Sequence, residues 1–246
     1  MSLIQNLSFW EVVKRQLSFK LKAYHNLIAS LFLFQMMALF FSIFGQTTST
    51  SDGFMTITNY IYTADLIVVF TLLWIFTVSF YMTTRGSKNM MFNFITDKRS
   101  NHLANFFYMI ILSALGAVTA VLLGVLLRLG IVLYNGIDHL FMYESLSIKD
   151  LLLMITVVFL YQILLFSFGY LIGEIIQLHK SFVFLVPLLL LGLLIFTVNL
   201  FNEAYMFTFY LMEENFLLFS LKVIISVVVF WLLATQVGRR LEVRAI

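Results

Sequence analysis

The sequence contains no cysteine, a single proline and few charged residues. Only 11% of its 246 residues are Asp, Glu, Lys or Arg, whereas a soluble domain carries roughly 25%. The absence of cysteine excludes disulfide scaffolds, thiolate metal sites and cysteine nucleophiles. Because 62% of the residues are hydrophobic and the mean hydropathy is +1.00, a soluble globule and a disordered chain are also excluded. The composition predicts a membrane protein with several spans.

Six apolar runs approach the roughly 20 residues that a helix needs to cross about 30 Å of hydrocarbon. They lack the alternating pattern that a transmembrane β-barrel strand shows. We therefore predict an all-α membrane protein with a single transmembrane domain over residues 1–246. The predicted spans cover residues 27–45, 60–82, 104–127, 151–173, 182–200 and 216–236.

Lysine and arginine are concentrated on one side of this predicted bundle. The opposite side carries only Arg128, Lys149 and Lys222 among the basic residues. Because cytoplasmic loops carry an excess of Lys and Arg, we expect both termini to be cytoplasmic in a multi-pass cell-membrane protein. The net charge of +3 then reflects topology and contact with anionic lipid headgroups, and requires no nucleic-acid partner.

Residues 1–24 are amphipathic and precede the first apolar run. Ser8-Phe9-Trp10-Glu11 matches a capping box, which predicts a helix that starts at Ser8. We expect this helix, which includes Trp10, Lys14 and Arg15, to lie in the inner membrane interface. The alternative is a helix end that only anchors the first span.

Residues 84–103 form the longest predicted cytoplasmic loop, and its centre is apolar. An apolar surface that faces the cytosol needs cover from lipid or from another protein. Methionine-rich surfaces adapt well to protein partners, but the residues alone leave both kinds of cover open. The apolar residues are Met90, Met91, Phe92, Phe94 and Ile95.

The sequence carries no recognisable catalytic or metal-binding motif. It lacks the G-x-x-x-x-G-K-[ST] nucleotide loop, the G-x-S-x-G elbow and the H-E-x-x-H pair. The four histidines are widely separated in sequence. We therefore predict that this chain is not an enzyme and holds no metal or cofactor of its own.

Four ionisable residues lie within or at the ends of the predicted spans: Asp65, Arg128, Glu174 and Lys222. Such a residue costs about 2.5–3.5 kcal/mol at a helix centre and less near the ends. Asp65 and Arg128 lie at similar depth on neighbouring helices, which allows an ion pair between them. For Glu174 we favour a side chain that extends to the headgroups without a further role.

Small residues mark two helix faces. Gly116, Ala120 and Gly124 form a stripe in the third span, and Gly169 and Gly173 form a G-x-x-x-G motif in the fourth. Such faces favour close helix contacts. The pattern does not distinguish contacts within the bundle from contacts between copies.

The assembled pattern resembles the membrane subunits of ABC-2 type transporters, bacterial exporters whose permease and ATPase are separate chains. The resemblance covers essentially the whole chain in its layout: an interfacial helix, six spans, both ends inside and a longer loop after the second span. The local match is Phe94-Ile95-Thr96-Asp97-Lys98-Arg99, where an apolar stretch meets basic residues before the third span.

This resemblance implies that residues 84–102 include a coupling helix that docks on a cytoplasmic ATP-binding subunit. That partner would bind ATP and Mg, and a second permease copy or a paralogue would complete the translocation path. The cargo would be an amphipathic or hydrophobic peptide, toxin or drug, antimicrobial peptides included. The alternative is a non-transporting sensor or assembly factor that binds a cytoplasmic partner through the same loop. The coupling residues would be Met90, Met91, Phe92, Phe94, Ile95, Asp97, Lys98 and Arg99.

Overall fold

The computed structural model consists of seven helices and one hairpin over the residues that it describes, 8–43, 46–51, 56–61, 64–84, 86, 98–135, 147–179, 181–201 and 209–243. The helices are α1 Phe9–Ala23, α2 His25–Ile43, α3 Asp65–Thr83, α4 Lys98–Asn135, α5 Ile148–Leu178, α6 Phe182–Phe201 and α7 Phe216–Val243. The strands of the hairpin are β1 Gln46–Ser51 and β2 Thr56–Ile61.

Five of these helices, α2, α3, α4, α5 and α7, are long and apolar enough to cross a membrane. They correspond to five of the six predicted spans, and the expectation of a helical membrane protein is confirmed at that level. The remaining predicted span, the fifth in the chain at residues 182–200, coincides with α6, a 20-residue helix that contains Pro187. Most side chains in the second half of α6 lie outside the described residues.

The segment between α2 and α3 differs from the sequence prediction. Residues 56–61 form β2, which pairs antiparallel with β1 from Gln46 opposite Ile61 to Ser51 opposite Thr56. These strands are rich in threonine, a β-branched residue that favours strands. The predicted span from residue 60 therefore starts too early, and α3 begins at Asp65.

The N-terminus of α1 has the predicted capping box. The Ser8 backbone N–H donates to Glu11 Oε2 at 3.1 Å, and the Glu11 N–H donates to Ser8 Oγ at 3.4 Å. Along the helix, Trp10, Lys14 and Arg15 are exposed. The helix start at Ser8 and its amphipathic character are thus confirmed.

The chain packs as two compact units. Unit 1 comprises Met1–Gln16, Phe76–Phe106 and Ile163–Ile246, and unit 2 comprises Leu17–Ile75 and Phe107–Gln162. Two buried clusters of unit 2 are aliphatic, and small residues allow the helices to approach closely there. A methyl group added at Gly124 would lie 2.8 Å from Ala64 Cβ. The buried residues of these clusters are Ala38, Ile67, Ala117, Ala120, Val121, Leu127, Ile131 and Val158.

In unit 1, the G-x-x-x-G motif of α5 packs against α3. A methyl group at Gly169 would overlap Ser79 Oγ, and one at Gly173 would overlap Thr83 Oγ1. Ser79 and Thr83 donate their hydroxyl hydrogens to the carbonyls of Phe76 and Phe80, at 2.6 and 2.7 Å. The motif that the sequence left open therefore makes a contact within one chain.

Candidate functional site

A buried cluster of polar side chains lies in unit 1. Asn105 Nδ2 donates to the Tyr170 hydroxyl at 3.0 Å, and His102 Nδ1 lies 3.0 Å from the same oxygen. The Glu174 carboxylate also hydrogen-bonds this hydroxyl. Asn105, Tyr170 and Glu174 are each at most 3% exposed. One tyrosine oxygen thus joins three polar side chains from α4 and α5.

The hydrogen-bonding capacity of tyrosine matches the number of partners in this cluster. A phenol has one donor hydrogen and two acceptor lone pairs. The Tyr170 oxygen accepts from Asn105. Its other two partners are His102 Nδ1 and the Glu174 carboxyl group, one of which takes the tyrosine hydrogen. All of the bonding capacity of the tyrosine is therefore used.

Aromatic rings and a glycine of α7 enclose the cluster. The Tyr170 ring stacks on Trp231 with centroids 4.8 Å apart, and Trp231 meets Phe106 edge-on at 5.2 Å. A methyl group at Gly238 would lie 3.1 Å from His102 Nε2 and 3.5 Å from Glu174 Oε2. The cluster therefore joins α4, α5 and α7 and depends on the absence of a side chain at Gly238.

This burial corrects the expectation for Glu174. Its side chain is fully buried and bonded to Tyr170, so it does not extend to the headgroups. The sequence analysis also missed His102, Asn105 and Tyr170. A signal was present, because His102 and Asn105 are three residues apart and Tyr170 and Glu174 are four apart, which places each pair on one helix face.

Lys222 has a defined partner within unit 1. Its ammonium group forms an ion pair with Glu213, lies 4.3 Å from the centre of the Phe209 ring and donates to the Phe209 carbonyl at 3.4 Å. The hydrogen bond from Lys222 lowers the pKa of the Glu213 carboxyl. Lys222 therefore fastens the segment before α7 to the first turns of that helix.

A cavity of about 260 Å³ lies in unit 2, between α3, α4 and α5. Among its described lining residues, Arg128 is the single charged one and the others are apolar. These residues come from the regions that also supply the aliphatic core. The lining residues are Ala64, Val68, Ala120, Val121, Gly124, Val125, Arg128, Leu151, Leu153, Met154, Val157 and Val158.

Asp65 and Arg128 do not form an ion pair in the described part of the chain, although the sequence allowed one. Asp65 is exposed in the first turn of α3, where a carboxylate interacts favourably with the helix dipole. Arg128 is half-buried and lines the cavity. The helix dipole accounts for the position of Asp65 without a partner. Arg128 lines the cavity instead.

A network of neutral polar groups lies in the core of unit 2. Gln35 Nε2 donates to Thr119 Oγ1 at 2.9 Å and to Thr71 Oγ1 at 3.3 Å. Trp74 Nε1 donates to Ser30 Oγ at 2.9 Å. These bonds join α2 to α3 and α4. None of these five residues was singled out from the sequence.

The coupling residues predicted from the loop lie almost entirely outside the described part of the chain. Arg99 is described and is exposed in the first turn of α4. Lys98 is the first residue of α4, but its side chain is not among those described. The residues outside the description are Met90, Met91, Phe92, Phe94, Ile95 and Asp97.

Comparison with known proteins found that no protein-family model, curated protein or solved structure matches this chain. The resemblance to ABC-2 type permeases therefore stays a prediction from the sequence pattern. The geometry of the described residues is the basis for assigning sites, and it offers two regions of interest: the polar cluster around Tyr170 and the cavity beside Arg128.

Proposed function

We propose that this chain is the membrane-spanning permease subunit of an ATP-binding cassette exporter in a bacterial cytoplasmic membrane. In this proposal α6 also crosses the membrane, as the fifth of six spans, both termini are cytoplasmic and α1 lies in the inner interface. The transported compound is amphipathic or hydrophobic, such as a peptide, toxin or drug. A separate subunit binds and hydrolyses ATP, and a second permease copy or a paralogue completes the path.

The observation that supports this proposal best is the cavity in unit 2. Its volume of about 260 Å³ is close to the lower limit of roughly 300 Å³ for small-molecule pockets. An apolar wall with one cationic side chain suits an amphipathic compound better than a sugar or a metal ion, which need several polar ligands. The capped α1 followed by apolar helices adds the layout expected of such a permease.

The energy for transport has to come from another chain in this proposal. The sequence lacks the glycine-rich loop that cradles ATP phosphates. The apolar centre of the loop, with Phe92 and Phe94, supplies the docking surface for an ATPase. Binding of the ATPase there transmits its conformational cycle to α3 and α4, which flank the loop.

The partner can be tested by isolating the tagged full-length chain from membranes in mild detergent and identifying bound proteins by mass spectrometry. We expect a soluble ATPase with a Walker motif. The double variant Phe92→Ala/Phe94→Ala should lose this partner. A matched variant, Leu133→Ala/Tyr134→Ala, changes two highly exposed residues near the other end of α4 and should retain it. Recovery of a cytoplasmic partner that is not an ATPase would favour the sensor or assembly alternative.

The absence of cysteine makes the topology directly testable with single cysteine substitutions and a membrane-impermeant maleimide. Ser147→Cys and Asn215→Cys should react in intact cells. Ser181→Cys should react only after permeabilisation. All three positions are exposed in the structure, so a failure to react reports on the membrane side. Reaction of Ser181→Cys in intact cells would contradict the cytoplasmic orientation and the crossing of α6.

A further inference from the structure

Arg128 combines a charge, partial burial and the absence of a protein partner. It is half-buried on α4 and lines the cavity of unit 2. Within the described ranges it makes no ion pair, side-chain hydrogen bond or ring contact. A guanidinium group that is partly removed from water is stabilised by an anion that accepts its hydrogen bonds. Asp65 and Asp150, which are next to lining residues in sequence, are both exposed and do not supply that anion.

Part of the cavity lining runs along one face of α4. Ala120, Gly124 and Arg128 follow one another at four-residue intervals, so they lie on one helix face. With a rise of 1.5 Å per residue, this lined stretch is about 12 Å long. Val68 of α3 and Val158 of α5 belong to the same lining. An apolar wall of this length with a cation at its C-terminal limit on α4 matches a hydrocarbon chain with a charged end.

We infer that this cavity binds a single-chain amphiphile with an anionic headgroup. The headgroup accepts hydrogen bonds from the Arg128 guanidinium, and the hydrocarbon chain lies along the apolar wall that includes Gly124 and Val158. A carboxylate or a phosphate satisfies the guanidinium equally well, because both accept two parallel hydrogen bonds. The inference goes beyond the proposed function, since it concerns a bound ligand and holds whether or not the chain transports it.

The test uses the full-length protein in nanodiscs made of zwitterionic lipid, so that the surrounding lipid supplies no anionic competitor. Binding of a fluorescent polyene fatty acid is measured, followed by displacement with palmitate, lysophosphatidylglycerol, hexadecanol or inorganic phosphate. We expect palmitate and lysophosphatidylglycerol to displace it at concentrations at least tenfold lower than hexadecanol, and phosphate not to displace it. Tighter binding of one of the two anions identifies the headgroup class.

Three variants separate the contributions of charge and shape. Arg128→Gln should weaken binding of palmitate about tenfold and leave hexadecanol unchanged, whereas Arg128→Lys should retain most of the preference for the anion. Val125→Phe, which adds volume to the half-buried lining, should weaken both ligands. Lys149→Gln is the matched control, because it removes an exposed cation outside the lining, and it should change neither.

Two outcomes would overturn the inference. Equal binding of palmitate and hexadecanol by the unchanged protein would show that no anion site exists. An equal loss of palmitate binding in Arg128→Gln and Lys149→Gln would show that surface charge alone attracts the anion. Native mass spectrometry of the same samples adds a third contradiction: if Val125→Phe alters only the number of copies in the complex, the surface is a protein interface. None of these readouts involves an ATPase, so their failure is distinct from failure of the exporter proposal.

Discussion

The polar cluster of unit 1 and the cavity of unit 2 present their polar groups in different ways. In unit 1, Glu174 is buried and the hydroxyl of Tyr170 joins it to Asn105 and His102. In unit 2, the buried polar groups around Gln35 are neutral, and the cation Arg128 lines a cavity without a partner among the described residues. A polar group that several neighbours bond stabilises a fold, whereas a cation without a protein partner is available to an anionic ligand.

The two units also differ in how closely their helices pack. In unit 1, α5 approaches α3 so closely that Gly169 and Gly173 tolerate no side chain. In unit 2, the space between α3, α4 and α5 is not filled. Since hydrophobic interiors are normally close-packed, this unfilled space is suited to a ligand. The polar cluster of unit 1 then serves to hold helices in place.

The largest expected effect on stability comes from a larger side chain at a packed position of unit 1, compared with a larger side chain at the cavity of unit 2. Gly173→Leu forces a side chain against Thr83 and should lower the free energy of unfolding by about 3 kcal/mol, at the upper end of the usual penalty for overpacking. Val125→Phe adds volume at the cavity lining and should change the free energy of unfolding by no more than about 1 kcal/mol. Reversible unfolding in detergent micelles measures both.

Gly130→Leu is the control for this comparison, since no atom lies within 4 Å of a methyl group added at Gly130. It should change the free energy of unfolding by less than about 0.5 kcal/mol. If Val125→Phe proved as destabilising as Gly173→Leu, the contrast in packing between the two units would be wrong.

The second effect concerns the polar cluster. Tyr170→Phe removes the hydroxyl that Asn105, His102 and Glu174 share, and buried polar groups that lose a partner cost about 1–3 kcal/mol each. We expect a loss of about 2–3 kcal/mol in the free energy of unfolding. Tyr134→Phe, at a position 91% exposed, should have no effect. A loss below about 0.5 kcal/mol for Tyr170→Phe would show that the cluster does not stabilise the fold.

The third effect is a dependence of stability on pH from Lys20 of α1, which is 1% exposed. Burial lowers the pKa of Lys20 from 10.5 to about 7. Between these two values the unfolded chain binds more protons than the folded one, so stability should rise with pH by about 1 kcal/mol per pH unit. Below pH 7 this contribution is constant.

Lys20→Met should abolish that slope between pH 7.5 and 9, measured by unfolding in micelles at each pH. Lys22→Met is the matched control, because Lys22 is exposed on the same helix and should leave the slope unchanged. An unchanged slope in Lys20→Met would mean that the lysine remains charged in the folded protein at these pH values.

The sequence predicted the helices better than it predicted their contacts. The capping box at Ser8 and the long apolar runs depend on neighbours in sequence, and the structure contains them. The hairpin at residues 46–61 was missed because its short polar strands lack the alternating apolar pattern that identifies a strand. Residues 46–59 were interpreted as a connection between two spans, and residues 60 and 61 as the start of the second span.

The sites were harder to predict, because each depends on residues far apart in the chain. Glu174 bonds Tyr170 on its own helix, and Tyr170 in turn bonds His102 on another helix. The sequence offers only the spacing of residues within each helix. Arg128 was noted as an ionisable residue, but the sequence paired it with Asp65, since depth in the membrane was the only available guide. Which faces of two helices meet is decided by packing in three dimensions, as the Gly169–Ser79 contact illustrates.

The smallest effect should come from Gln35, the buried amide of unit 2. Gln35→Met removes hydrogen bonds to Thr71 and Thr119, but these hydroxyls still donate to the carbonyls of Ile67 and Leu115. The change also removes the buried amide oxygen of Gln35, which has no partner in the described structure. Because the two consequences oppose each other, the free energy of unfolding should change by less than about 1 kcal/mol. A loss as large as that of Tyr170→Phe would show that the neutral network of unit 2 stabilises the bundle as strongly as the polar cluster of unit 1. The two units would then not differ in how their buried polar groups contribute to stability.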